Sequence, residues 1–295
     1  MKNAKKHIQR HTKEYLAELF DFLEIPSIST DPNYADNVQE AALFTRQLLD
    51  KAGVENTELI QTDGHPLVYG EKILDASYPT VLVYGHFDVQ PADPLDQWKS
   101  EPFKPEVRDN KIYARGASDD KGQIHMSIKA FETASGLGEL KCNIKFLFEG
   151  EEEIGSPHIA EYIIHNKEKL QADIVLVTDT ALIDIDTPTI TTSLRGMTML
   201  EIEVRSLKKD AHSGVYGGAV HNPVHVLSKL LGDLENDEFQ ITIPGFYDDV
   251  KDIDKKERKL HDQNSKKFHE VAQNICCGSS VCEKGYSGYE SATIR

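Results

Sequence analysis

Thr80-Val81-Leu82-Val83-Tyr84-Gly85-His86-Phe87-Asp88-Val89-Gln90-Pro91 is an apolar run that ends in His-x-Asp, the pattern of a buried strand delivering a metal ligand to the rim of a sheet. Side chains alternate faces along a strand, so His86 and Asp88 are expected on one face, roughly 6 to 7 Å apart. At that separation Asp88 can orient the imidazole, because a metal-bound histidine usually gives its second N–H to a carboxylate or carbonyl. Taken alone, the fragment fits equally a core histidine beside a solvated loop aspartate.

Two further segments repeat the design. Cys142-Asn143-Ile144-Lys145-Phe146-Leu147-Phe148 runs into Glu149-Gly150-Glu151-Glu152-Glu153-Ile154-Gly155-Ser156, and Ala172-Asp173-Ile174-Val175-Leu176-Val177-Thr178 runs into Asp179. Ligands collect beyond the carboxyl ends of strands in an open α/β sheet, so these ends are expected to converge. One acid-tipped strand reads as a polar turn. Three of them, with Ser118-Asp119-Asp120-Lys121-Gly122 opening a helix, point to a metal site.

The remaining pattern supplies a scaffold. Leu16, Leu19, Phe20 and Leu23 recur at helical spacing up to Ile25-Pro26, a second helix is expected over 38–52 before Gly53, and strand-like segments follow at 54–62 and 67–70. After a long proline-rich excursion, Asp109-Asn110 joins two short strands in a tight hairpin. Helices are expected over 122–134 and 157–169. This alternation predicts an α/β fold, a mostly parallel sheet with helices on both faces, over residues 1–187. Near Asp186-Thr187-Pro188 the pattern changes: Leu200, Ile202 and Val204 alternate with Glu201, Glu203 and Arg205, which predicts a half-buried strand of a smaller α+β domain over 188–295. His212 lies in a glycine-rich loop, where a substrate contact is expected because a structural histidine has little to pack on. A helix through Leu234 and a charged, solvated helix or linker over 235–270 complete the reading.

Composition narrows the partners. The chain has 295 residues, 39 % apolar and 28 % charged, with a net charge of -16. A polyanion is repelled by nucleic acid and by anionic membrane, so neither is expected as a partner. No signal-peptide core follows the basic N-terminus and no run is long enough to span a bilayer, so a cytoplasmic protein is expected. Cys142, Cys276, Cys277 and Cys282 are read as free thiols, since no second ligand pair stands at zinc-ribbon spacing. Gly285-Tyr286-Ser287-Gly288-Tyr289 lacks the second glycine of a nucleophile elbow, and no phosphate loop precedes Lys121.

Gly85-His86-Phe87-Asp88-Val89-Gln90-Pro91, Arg115-Gly116-Ala117-Ser118-Asp119-Asp120-Lys121-Gly122, Glu152-Glu153-Ile154-Gly155-Ser156, Thr178-Asp179 and Asp210-Ala211-His212-Ser213-Gly214-Val215-Tyr216-Gly217-Gly218 occur in that order. With these segments the chain resembles the M20 family of zinc-dependent metallopeptidases, in particular its dipeptidase and carnosinase-like branch. The resemblance implies a catalytic domain carrying two divalent ions, with Zn²⁺ expected first and Mn²⁺ or Co²⁺ as alternatives. It implies that His86 and Asp179 bind one ion, Glu153 the other, and that Asp119 bridges them. Glu152 would be the general base, and Asp88 the partner that orients His86. His212 would reach the active site of a partner subunit in a homodimer formed by the smaller, lid-like domain.

The expected reaction is hydrolysis of a peptide bond in a dipeptide or short peptide. Hydrolysis of an N-acyl amino acid by the same machinery, or a non-catalytic metal-binding remnant, is the alternative. The family pattern also has one more metal-binding histidine in a C-terminal segment that returns to the catalytic domain. His261 and His269 lack the glycine-rich context of a substitute. A truncated member with an incomplete lid domain and weak or no activity is therefore expected.

Overall fold

The computed structural model describes residues 2–182, 189–191, 194, 196–251, 254–256, 258 and 259. They belong to two compact units, Met1–Ala181 and Leu182–Arg295. Asp186-Thr187-Pro188, His261, His269, Cys276, Cys277, Cys282 and the 285–289 segment lie outside the described residues.

In the first unit, α1 (Lys2–Glu24) stops just before Pro26, which has no N–H to continue a helix. α2 (Ala35–Lys51) buries Val38, Ala41, Ala42, Thr45, Leu48 and Leu49, one stripe at helical spacing. β1 (Glu55–Ile60), β2 (Leu67–Lys72) and β3 (Thr80–His86) follow. The hairpin of β4 (Glu106–Arg108) and β5 (Lys111–Tyr113) turns at Asp109 and Asn110, whose φ angles of 49° and 60° suit a two-residue turn. Then come α3 (Lys121–Gly136), β6 (Asn143–Glu149), α4 (Ile159–His165), α5 (Lys167–Leu170) and β7 (Ile174–Val177).

The α/β architecture is a five-stranded mixed sheet in the order β1-β2-β6-β3-β7. β3 runs parallel to both β6 and β7, whereas β2 is antiparallel to β1 and to β6. On one face, Phe22, Val38, Leu49, Ile124 and Phe131 from α1, α2 and α3 pack against Val83, Phe146 and Phe148. On the other, Ile159 and Leu170 from α4 and α5 join Tyr69, Leu82 and Leu147. Each fully buried side chain of this kind stabilises the fold by about 1.5–3 kcal/mol, so β6, buried along its whole length, is the centre of the core.

Two expectations need correction. The single helix over 157–169 is two, because the backbone breaks at Asn166 (φ -120°, ψ 28°), whose side-chain amide donates to Tyr162 O at 2.8 Å. An asparagine side chain offers the backbone an alternative to the helical ladder. In the second unit the strand expected over 200–205 is not formed. Among the described residues no segment pairs with it, and Leu200 is 76 % exposed. A strand without a partner has no ladder to hold it. That unit contains α6 (Ser213–Tyr216) and α7 (Pro223–Gly232), the latter capped by Asn222 Oδ1, which accepts from Val224 N at 2.9 Å, and Lys255, Lys256, Arg258 and Lys259 in the charged stretch are also helical. Residues 235–251 form mostly exposed turns around an isolated antiparallel bridge between Glu235 and Ile241. No helix among the described residues is long and apolar enough to cross a membrane.

A buried charge cluster joins α1 to α3. Lys129 Nζ lies 2.5 Å from Glu18 Oε2 and 2.7 Å from Glu132 Oε2. His125, 4 % exposed, sits beside them with Nε2 3.6 Å from Glu18. Burial and then the Lys129 charge outweigh Glu18 and pull the His125 pKa down to about 4. The unfolded imidazole titrates near 6.5, so between about 4 and 6.5 the unfolded chain binds more protons and stability falls as pH falls. The expected loss over that window is on the order of 3 kcal/mol. Urea melts of His125→Gln should show this acid dependence reduced, and an unchanged pH profile would contradict the assignment.

Candidate metal centre

His86 ends β3 and is fully buried. Its Nδ1 lies 3.0 Å from the Asp88 carbonyl oxygen and 3.3 Å from Asp88 Oδ1. β3 stops at His86, so Asp88 meets the ring from the segment beyond the strand, closer than strand spacing predicts. With Nδ1 engaged there, Nε2 faces the acids. Asp119 Oδ1 is 3.1 Å away, Asp179 Oδ2 3.7 Å and Glu152 Oε2 4.0 Å.

Local sequence explains the approach. A Cβ on Gly85 would come within 2.4 Å of Asp120 Oδ2 and of Ile124 Cγ2, so only glycine lets the start of α3 close onto β3. Asp120 Oδ2 then accepts from His86 N at 3.1 Å, and Asp119 is left beside the imidazole. Lys121, fully buried, donates to Phe22 O at 3.0 Å and Ile25 O at 2.6 Å. It satisfies carbonyls at the end of α1 and ties the 119–121 segment to that helix.

Asp88 gathers the other side. Its Oδ2 accepts from Ser29 Oγ at 2.6 Å and Glu153 N at 3.1 Å, and its Oδ1 from Glu152 N at 3.2 Å. Gln90 Nε2 donates to Glu153 Oε2 at 2.7 Å. Glu149 and Glu151 face elsewhere: Glu149 Oε1 accepts from Tyr84 and Ser156, and Glu151 contacts His65 and His158. Ser29, Gln90 and Lys121 are site-building residues that sequence reasoning missed. Gln90, inside the opening stretch, and Lys121, next to Asp119-Asp120, carried a positional signal; Ser29 carried none.

Two donor groups result among the described residues, His86–Asp119–Asp179 and His86–Glu152–Glu153, each with ligand atoms within 4.8 Å of one another. Their electrostatics favour a cation. Burial and then neighbouring acids, with His86 opposing, push the pKa values of Glu152 and Asp179 up. Burial also raises Glu153, against its bond from Gln90 and with Asp119 adding to the rise. The His86 hydrogen bond holds Asp119 below the usual carboxylate range. Burial disfavours a charged His86 ring, but its bonds to Asp119 and Asp88 prevail and push its pKa up to about 11. Acids that repel one another around one imidazole nitrogen form a donor set of the oxygen-rich type that divalent cations occupy.

His212 belongs to the second unit. It is exposed, precedes α6, and accepts from Gly214 N through Nδ1 at 3.0 Å.

Comparison with known proteins places this geometry in context. A family model described as "Peptidase family M20/M25/M40" matches residues 82–283. The Cys-Gly metallodipeptidase dug1 of Schizosaccharomyces pombe is 36 % identical over 269 residues, covering 86 % of this chain and 56 % of the relative. The Beta-Ala-His dipeptidase of Mus musculus is 34 % identical over 284 residues, covering 91 % and 58 %. The chain thus spans less than two thirds of the length of these curated relatives. Among solved structures, an M20 family metallo-carboxypeptidase from Sulfolobus solfataricus superposes with a TM-score of 0.73 at 34 % identity, over 93 % of this chain and 62 % of that one. With the family model covering more than half of its residues, the chain belongs to peptidase family M20/M25/M40.

Proposed function

We propose that this chain is a divalent-metal-dependent hydrolase of peptide bonds in dipeptides or short peptides. The observation that carries the proposal is the meeting of carboxylates from separate segments at Nε2 of one buried imidazole. His86 and Asp179 would hold one ion, Glu153 a second, and Asp119 would lie between them. The chemistry such ions supply is polarisation of the scissile carbonyl and a lowered pKa for water.

The chain's own residues supply the rest. Asp88 holds His86 with Nε2 inward and, through the same carboxylate, fixes the backbone of the turn that carries Glu152 and Glu153. Gln90 grips Glu153, which suits a ligand that must not move. Glu152, its side chain about a third exposed, suits a base that takes a proton from water and passes it to the leaving amine. Burial raises its pKa toward the range where both transfers are easy. We assign the catalytic domain to 1–187 and the lid or dimerisation domain to 188–295. His212 is assigned to substrate binding across a homodimer in a cytoplasmic enzyme.

Hydrolysis of Cys-Gly, β-Ala-His and an N-acetylated amino acid, with added Zn²⁺ or Mn²⁺ and after chelation, tests the reading. Metal uptake with weak, metal-dependent cleavage of a dipeptide is expected. Absence of both metal uptake and hydrolysis, or cleavage unaffected by chelation, would overturn it.

A further inference from the structure

Glu151 is unlike its neighbours. Its side chain is 2 % exposed, yet it is an acid in a run of three. Oε2 lies 2.8 Å from His158 Nδ1 and Oε1 accepts from His65 N at 3.0 Å. Its carbonyl oxygen accepts from Ile154 N at 3.1 Å and Ser156 N at 2.9 Å, closing the single 3₁₀ turn Glu152–Ile154. A carboxylate taken out of water persists only with such donors around it.

The contacts form a ring. His65 Nε2 lies 3.2 Å from Ser29 O, Ser29 Oγ donates to Asp88, and Asp88 accepts from the backbone of Glu152 and Glu153, the residues that follow Glu151. Glu152 and Glu153 are therefore held from one side by Asp88 and from the other by Glu151. The turn at 62–65 comes very close to Glu151. A Cβ on Gly64 would lie 1.9 Å from Glu151 Oε1 and 2.7 Å from His158 Nδ1.

We infer that Glu151, clamped by His65 and His158, is a positioning residue that sets the Glu152–Glu153 turn against His86. The inference rests on the metal-binding reading of that pair. It assigns the alternate acids of Glu151-Glu152-Glu153 different work: the first is an internal anchor and the other two face the ions.

The test is Mn²⁺ titration of the 295-residue chain, followed by calorimetry and electron paramagnetic resonance, in wild type, Glu151→Ala, Gly64→Ala and Glu151→Gln. Gly64→Ala keeps the carboxylate but pushes it out of its place. Glu151→Ala and Gly64→Ala are expected to weaken Mn²⁺ binding about 10- to 100-fold, the usual cost of losing an outer-shell partner. Glu151→Gln keeps the acceptor for His65 N and should bind nearly as wild type does. A purely structural Glu151 would lower the melting temperature and leave the Mn²⁺ affinity of the folded protein unchanged. That result, with wild-type binding intact, overturns the role of Glu151 alone. Failure of the wild type to bind Mn²⁺ overturns the site reading together with it. Should Glu151→Ala not fold, the same outcomes are read from Gly64→Ala against Glu151→Gln.

Discussion

Replacing His86 with alanine is expected to abolish binding of the ion that His86 and Asp179 would hold, because Nε2 is the one imidazole atom toward which Asp119, Asp179 and Glu152 converge, and to leave at most a weaker equivalent at Glu153. Asp179→Asn removes one carboxylate from that same ion and should weaken its binding without abolishing it. The loss in His86→Ala should exceed the roughly 10- to 100-fold that follows removal of an outer-shell partner, since a direct ligand goes and the half-buried acids are left facing one another. The ring of the metal-free protein carries a proton at neutral pH, given its raised pKa of about 11. A cation must displace that proton, so wild-type affinity is expected to rise with pH. Isothermal calorimetry with Mn²⁺ in buffers of different ionisation enthalpy reads both effects. Retention of two tight equivalents by His86→Ala would remove the centre from this position.

The same residues show which parts of the molecule local sequence can express. The apolar runs of β3 and β6 and the stripe on α2 follow from period and burial, and the acids after β3, β6 and β7 were bound to gather wherever those strands lay side by side. Contacts between distant segments left no such trace. Ser29 binds Asp88 across a separation of 59 residues, and Lys121 reaches Phe22 across 99. β7 is as apolar as β3, yet Val175 is 61 % exposed, because its place at the sheet edge and not its composition sets its burial. The alternation at 200–205 has the right period for a strand, but period alone provides no partner. The division of labour among Glu149, Glu151, Glu152 and Glu153 depends on which way a single turn folds, and that is decided by Asp88 and His65 from distant segments together with Ser156 and His158 just beyond the turn.

That division makes the adjacent glutamates separable by experiment. Glu152→Gln keeps the size and shape of the side chain but cannot accept a proton from water. If Glu152 is the base, hydrolysis should fall about 10²- to 10⁴-fold, the usual contribution of a positioned acid–base group, with KM and Mn²⁺ uptake close to wild type. Glu153→Gln changes a carboxylate already gripped by Gln90 Nε2 at 2.7 Å. It should weaken Mn²⁺ binding first and lose activity as a consequence, with partial recovery at high Mn²⁺. Burial raises the Glu152 pKa, so the acid limb of the wild-type kcat profile should lie above the ordinary glutamate range and disappear in Glu152→Gln. Steady-state kinetics over a Mn²⁺ series separates the two variants. Metal rescue of Glu152→Gln, or equal loss of Mn²⁺ in both, would make Glu152 a ligand and require another group to carry the proton.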